Sequence, residues 1–345
     1  MDTVRIGMIG SGYMGLTYSE AIARHVKGAK LAAIAGGSRT PSLAAEYGVA
    51  SEPTIAALLA RPDVDAVIIT TPDAVHREQT VMAAAAGKHV LVEKPMAPSV
   101  AQCDEMIAAC QAARVSLAVV KTERYRRLTK QAKRLIEEGA IGNIWMLRTI
   151  SCFPSTVARA IVADRRWYAD PAGGGLFMSM ASHNADFLLW LTSSPAKQVY
   201  AQVKTFSDAE MPAQTVMAQI GFVNGVMGDM WISAEMPPPS IPSTEVRFQV
   251  VGSRGILDFE NFEFLDLARE GKWERVMVPQ RFDYLKEPKS PIRLEPHIGV
   301  VQEFVDSLRE QRPPKVGGAE GRAAVEICQA CLISAEGRRA VDLPL

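Results

Sequence analysis

The feature that most constrains this chain lies near its start, where the apolar run Val4–Ile9 leads directly into Gly10-Ser11-Gly12-Tyr13-Met14-Gly15. A strand that turns at once into a helix needs glycine at three places: at the turn, where the backbone approaches a ligand, and where helix packs on strand. Gly10, Gly12 and Gly15 hold those places in G-x-G-x-x-G spacing. The helix that follows offers unpaired N–H groups and the positive end of its dipole to a phosphate. The segment therefore predicts a dinucleotide site over Gly10, Ser11, Gly12, Tyr13, Met14 and Gly15.

The following hundred or so residues repeat the same rhythm. Short β-branched runs at Val4–Ile9, Lys30–Ala35, Ala66–Thr70, His89–Val92 and Leu117–Val120 alternate with helical patterns at Met14–His25, Pro41–Tyr47, Ile55–Leu59, Val75–Ala86 and Val100–Ala113. Such alternation predicts an α/β Rossmann domain, a doubly wound parallel sheet covered on both faces. After Tyr125 the rhythm changes. One helical segment, Leu128–Glu138, precedes residue-by-residue alternation at Ile144–Ile150, Gln198–Phe206, Thr215–Phe222, Gly225–Ala234, Thr244–Val251 and Ile256–Phe259. These predict a C-terminal α+β domain with a large, mostly antiparallel open sheet. Met236–Pro242 and Arg281–Pro296 read as loops, and His297–Arg339 reads as helix. The expected division is 1–122 for the dinucleotide and 123–345 for substrate binding and oligomerisation, with the C-terminal helices able to pack back on the first domain.

Composition narrows the function classes. The 345 residues are 48% hydrophobic, and 38 basic side chains balance 38 acidic ones. With no broad field to attract nucleic acid or an anionic membrane, neither is an expected partner. No secretion leader is visible and no apolar stretch is long enough to span a bilayer, which predicts a cytoplasmic protein. Five scattered cysteines fit a reducing compartment, and Cys328-x-x-Cys331, with no second ligand pair nearby, reads as core packing. No cluster has metal-ligand spacing, so no metal is expected.

The end of the second strand bears on cofactor choice. An NAD site usually carries an acidic residue there, about 20 residues beyond the glycines, to bind the ribose 2′-hydroxyl. Here Gly36 and Gly37 occupy the place, followed by Ser38 and Arg39. A planar guanidinium with no carboxylate beside it suits a 2′-phosphate, so NADP(H) is favoured. NAD(H) is the alternative, with Ser38 and the backbone holding the ribose while Arg39 stacks on the adenine or stays solvated.

Three further segments join the glycine loop in register. Thr70-Thr71-Pro72-Asp73-Ala74-Val75-His76 follows the fourth strand and Glu93-Lys94-Pro95 the fifth, while Gly173-Gly174-Gly175 precedes Ser179, His183 and Asp186. In this order and spacing the chain resembles the Gfo/Idh/MocA family of sugar and cyclitol oxidoreductases, from Val4 to about Leu191 and more loosely beyond. The resemblance implies an active site between a Rossmann domain and an open-sheet domain used for oligomer contacts. It assigns Lys94 to the reacting hydroxyl, Glu93 to the nicotinamide ribose, a cis peptide before Pro95, and Trp167 to the neighbourhood of the nicotinamide. Thr71, Pro72 and His76 fall near the nicotinamide end, where His76 orients a loop. Tyr125 matches a substrate-contacting position, although a polar turn joining the domains explains it nearly as well.

The chemistry fits those residue types. Oxidising a secondary alcohol sends hydride to the nicotinamide and leaves a proton that the protein must take. Histidine titrates near neutrality and lysine can stabilise the developing oxyanion, which makes Lys94 and His183 the expected catalytic pair. Read without the family, a lone histidine in an apolar helix is more often a packed residue; the glycine triplet before it reverses that weighting. One departure stands out. Family dehydrogenases commonly carry Asp where Ser179 lies, one turn before the histidine, and a hydroxyl cannot stabilise imidazolium by charge. Ser179 is expected to contact substrate, while Asp186 reads better as a helix-packing residue.

The expectation is an NAD(P)-dependent oxidoreductase that interconverts alcohol and ketone on a small polyhydroxylated compound, working as a homodimer or homotetramer. Two other classes use the same motifs: an NAD-dependent glycosidase acting through transient oxidation, and a non-catalytic protein that senses the cofactor.

Overall fold

A computed structural model describes residues 2–164, 166–170, 175–206, 213–282 and 286–345. Two compact units divide the chain: Met1–Tyr125 with Phe282–Arg322, and Arg126–Arg281 with Ala323–Leu345.

In the first unit, β1 (Val4–Ile9), β2 (Ala29–Ala35), β3 (Ala50–Ser51), β4 (Ala66–Ile69), β5 (His89–Val92) and β6 (Leu117–Val119) form one sheet in the order β3-β2-β1-β4-β5-β6. Every pairing is parallel. The crossovers carry α1 (Tyr13–Arg24), α2 (Thr40–Tyr47), α3 (Ile55–Leu59), α4 (His76–Ala85) and α5 (Val100–Ala112). All four residues of β4 are buried, as a strand covered on both faces requires. The strand order reverses between β1 and β4, and the carboxyl ends of strands at such a switch point are where open parallel sheets bind ligands. This is the predicted doubly wound fold.

Of the expected loop Arg281–Pro296, residues 283–285 lie outside the described residues and the part from Pro291 is helical, because α9 runs Pro291–Arg309 within the first unit. Pro291 opens the helix, where a missing N–H costs nothing, and the internal Pro296 is tolerated with its ring buried. The tail is likewise two helices, α9 and α10 (Gly318–Gly337), separated by Arg312-Pro313-Pro314. Phe304, Val301 and Val305 of α9 join Tyr18, Ile22 and the β1 side chains in one core cluster.

The second unit is built on nine strands: β7 (Ile144–Pro154), β8 (Ala196–Lys204), β9 (Thr215–Phe222), β10 (Met227–Met236), β11 (Arg247–Gly252), β12 (Gly255–Glu260), β13 (Phe264–Arg269), β14 (Lys272–Met277) and β15 (Val341–Asp342). Their order is β14-β13-β12-β11-β7-β10-β9-β8-β15, antiparallel except where β7 and β10 run parallel. Helices α6 (Arg127–Glu137), α7 (Ser155–Asp164) and α8 (Gly175–Thr192), with α10 from Ala323 onward, complete the unit, and α7 is a helix that the sequence pattern does not announce. Phe187 of α8 packs 4.2 Å from Phe248 and 6.0 Å from Phe259 between ring centroids, closing one face of the sheet. Elsewhere on the strands Trp145, Tyr200, Met217, Met227 and Trp273 are exposed.

All five cysteines are free and buried. Burial pushes the Cys103 thiol up to about 12 and Cys110 and Cys152 to about 11, leaving them as small apolar side chains. Among the described residues, no helix is long and apolar enough to cross a membrane.

Candidate active site

The glycine loop is tight where the spacing demanded it. Gly10 has φ +111°, and a Cβ built there would lie 2.5 Å from Thr70 Oγ1; one built on Gly15 would lie 2.2 Å from the Gly10 carbonyl oxygen. Neither position admits a side chain. Gly12 is open by contrast, its nearest neighbour being Arg39 Nη2 at 3.8 Å from an added Cβ. Gly12 is also the cap of α1, with no side-chain cap and no acidic residue in the first turn. No capping side chain or first-turn carboxylate competes with an anion at this helix end, and the cradle fits a dinucleotide pyrophosphate.

The end of β2 closes on the same loop. The Gly10 N–H donates to the Ala35 carbonyl at 2.8 Å, and an added Cβ on Gly37 would meet Ser11 Oγ at 2.5 Å. Gly36 and Gly37 have φ +81° and +93°, so the usual ribose-binding carboxylate would have to adopt left-handed backbone and enter occupied space. Ser38 and Arg39 are both exposed beside it.

Beyond β4 and β5 two loops are tied together. Thr71 Oγ1 donates to Gln79 Oε1 at 2.6 Å. The His76 ring is buried, with Nδ1 3.0 Å from the Pro95 carbonyl oxygen and Nε2 2.9 Å from that of Thr71. Burial pushes its pKa down while the two carbonyls pull it up. His76 is therefore a strut between the loop carrying Thr71 and Pro72 and the loop carrying Lys94 and Pro95. The Lys94–Pro95 peptide is cis.

Glu93 lies under Lys94 in the interior. Its Oε1 accepts the Tyr18 hydroxyl at 2.7 Å and its Oε2 accepts the Lys94 amide N–H at 2.9 Å. Burial raises the carboxyl pKa; the charge of Lys94, the Tyr18 hydrogen bond and the charge of Lys121 oppose that rise. Burial also drives the Tyr18 phenol well up. Lys94 itself is half-buried, and Tyr125 packs its ring on α9, where an added Cβ on Gly299 would lie 2.9 Å from its Cδ1.

The second unit presents the other candidates. Ser179 and His183 lie one turn apart on α8, Ser179 buried and His183 half-buried, with Asp186 buried one turn further along. The Ser179 carbonyl accepts the Ser182 hydroxyl at 3.3 Å. Trp167 is exposed, its ring centroid 5.6 Å from that of Tyr168. Gly173 and Gly174 of the triplet lie outside the described residues, and Gly175 opens α8 at φ +71°.

Four residues that matter to these surroundings escaped sequence reasoning. Tyr18 reads as an ordinary core position, and its acceptor lies 75 residues away. Lys121, nearly fully buried just beyond β6, gives no local sign of burial. Arg293 reaches α1 from α9, donating to Thr17 Oγ1 at 2.8 Å. Asn184 Nδ2, beside His183, donates to the hydroxyls of Thr149 and Ser151 on β7 in a buried polar network. Only its position next to His183 hinted at more than packing.

Comparison with known proteins places this geometry. Residues 4–121 match the profile of an oxidoreductase family with an NAD-binding Rossmann fold, and residues 129–258 match the GFO/IDH/MocA C-terminal domain. A myo-inositol 2-dehydrogenase from Thermotoga maritima is 26% identical over 99% of this chain and 98% of its own. A 1,5-anhydro-D-fructose reductase from Ensifer adhaerens is 31% identical over 64% of each chain. Among solved structures, the WlbA dehydrogenase from Bordetella pertussis, crystallised with NADH and UDP-GlcNAcA, is 26% identical with a TM-score of 0.81 over 99% of this chain and 98% of that one. With both parts of its fold matched and dehydrogenases and reductases among its relatives, the chain belongs to the GFO/IDH/MocA family of oxidoreductases.

Proposed function

We propose that this enzyme interconverts a secondary alcohol and a ketone on a sugar, cyclitol or related polyhydroxylated compound, with NADP(H) favoured over NAD(H). The observation that carries the reading is that the glycine cradle and the Glu93-supported Lys94 belong to one unit, both just beyond the carboxyl ends of its parallel strands. The relatives named for inositol and anhydrofructose chemistry point to the substrate class.

The dinucleotide, when bound, supplies the hydride acceptor or donor. Ser11, Gly12, Tyr13 and Met14 would hold its pyrophosphate at the first turn of α1, and Thr71 and Pro72 would serve its nicotinamide end. Arg39, reaching toward Gly12, is assigned to the 2′-phosphate. Lys94 stabilises charge developing on the substrate oxygen, and His183 takes up or returns the hydroxyl proton. Ser179 and Tyr125 are assigned hydrogen bonds to substrate hydroxyls, and Trp167 is assigned to the nicotinamide. With serine in place of the family aspartate, proton transfer through His183 has no carboxylate one turn away at position 179 to stabilise the cation.

The same reading extends to assembly. Exposed Trp145, Tyr200, Met217, Met227 and Trp273 favour a homodimer or homotetramer through the nine-stranded sheet. Light scattering behind size exclusion tests this, and a monomer at micromolar concentration contradicts it.

For the activity, the test is absorbance of reduced nicotinamide across a panel of sugars, anhydrosugars and inositols with each cofactor. Net turnover with at least one polyol supports the proposal. Dinucleotide binding with no net turnover across the panel, or glycoside cleavage without net cofactor change, contradicts it.

A further inference from the structure

Arg293 is a buried cation whose partners among the described residues are all neutral. Only 2% of its surface is exposed. Nη2 donates to Thr17 Oγ1 at 2.8 Å, Nη1 donates to the Pro288 carbonyl, and Cζ stands 4.5 Å from the centroid of the Tyr13 ring. Its Nε is buried with no acceptor. Among the described residues, no carboxylate forms an ion pair with it.

Electrostatics alone disfavours this arrangement. A guanidinium cannot shed its proton, and taking one out of water without a counter-charge costs several kcal/mol. The place makes matters worse, because Tyr13 is the first residue of α1 and a helix N-terminus is itself positive. No acidic residue in the first turn of α1 offsets either charge. Two positive features meet at one helix end; among the described residues no carboxylate pairs with Arg293 and none lies in the first turn of α1, so the place complements an anion from outside. The anion that the proposed function brings to this helix end is the dinucleotide pyrophosphate.

We propose that Arg293 supplies a fixed positive charge behind Tyr13 that complements the cofactor pyrophosphate, a contribution from α9 to the glycine-loop site. This rests on the proposed dinucleotide chemistry. Arg293 is a positioning residue: it acts through its field and through the Tyr13 ring, and the phosphate contacts are left to the backbone of α1.

The test compares Arg293→Met, which keeps the stem and removes the charge, with Arg293→Lys, which keeps the charge. Calorimetric titration with NADH, NADPH and ADP-ribose is paired with thermal unfolding with and without ligand. Arg293→Met is expected to weaken all three ligands about 10-fold at low salt, as loss of one unit charge some way from the phosphates implies. Its ligand-free Tm should be no lower than that of the wild type, while its ligand-induced rise in Tm shrinks. Arg293→Lys should bind within about 3-fold of the wild type. Wild-type affinity in Arg293→Met, or a lower ligand-free Tm with affinity intact, overturns the proposal and makes Arg293 a packing residue. Should the Met variant fail to fold, Arg293→Gln carries the same comparison. A wild-type protein that binds none of the three ligands contradicts the proposed function itself, whereas normal wild-type binding with an indifferent variant contradicts only the role of Arg293.

Discussion

The Tyr18 hydroxyl donates to Glu93 Oε1 at 2.7 Å in the interior of the first unit, joining the first helix to the carboxylate whose other oxygen holds the Lys94 amide. Helix α9 backs this contact, with the His297 ring edge-on to Tyr18 at 5.7 Å. The aim of Lys94 thus depends on residues from three separated parts of the chain.

Tyr18→Phe removes one donor from a buried carboxylate whose pKa burial already raises. An unsatisfied buried acceptor costs about 1–3 kcal/mol, and losing the bond pushes the Glu93 carboxyl further up. The variant should unfold at lower denaturant concentration. Its pH–activity profile should also shift toward higher pH relative to the wild type, as the Glu93 carboxyl becomes harder to ionise. Chemical denaturation and a kcat–pH profile check both, and an unchanged profile would separate Tyr18 from the positioning of Lys94.

Arg39→Glu should reverse the proposed preference for NADP(H). A carboxylate at that exposed position repels a 2′-phosphate and accepts a ribose hydroxyl. NADPH affinity is expected to fall at least about 10-fold while NADH affinity holds or improves. Parallel titrations with the two cofactors read the result, and an unaltered NADPH affinity would remove Arg39 from the site.

Glu260 in the second unit has its carboxyl pKa raised from 4.5 to about 7, chiefly by burial and against hydrogen bonds from the Phe262 and Val246 N–H groups. A raised folded-state pKa contributes stability that is full below the unfolded value and lost as pH climbs through the folded one. The window is therefore about pH 4.5 to 7. Across it the wild type should lose on the order of 3 kcal/mol relative to Glu260→Gln. Urea unfolding of both proteins at pH 5 and pH 8 measures the difference, and parallel pH dependences would show that Glu260 titrates normally.

The parts of this molecule that were legible in the sequence are those whose signal is local. Gly10, Gly12 and Gly15 declare their turn by spacing, and the fully buried β4 declares a parallel sheet by its unbroken apolar run. Leu265-Asp266-Leu267 alternates as a half-buried strand should, yet its neighbour β14 is mostly exposed and shows no buried alternation, so the last hairpin of the sheet is not legible in the sequence. The start of helix α9 is not legible, because Pro291 and Pro296 resemble loop residues until the first is seen to occupy a helix start. Contacts such as Arg293 with Tyr13 or Asn184 with Thr149 depend on which surfaces the fold brings together, and no periodicity encodes them.

Lys94 carries the central claim, that this chain moves hydride to or from a polyol carbon with lysine assistance. The most direct measurement is single-turnover formation of reduced nicotinamide by wild type and Lys94→Ala, using a polyol found active in the panel, with cofactor affinity determined separately. The predicted result is a rate lower by roughly 100-fold or more in the variant, with cofactor affinity within a few-fold of wild type. Hydride transfer at a near wild-type rate in Lys94→Ala would contradict it.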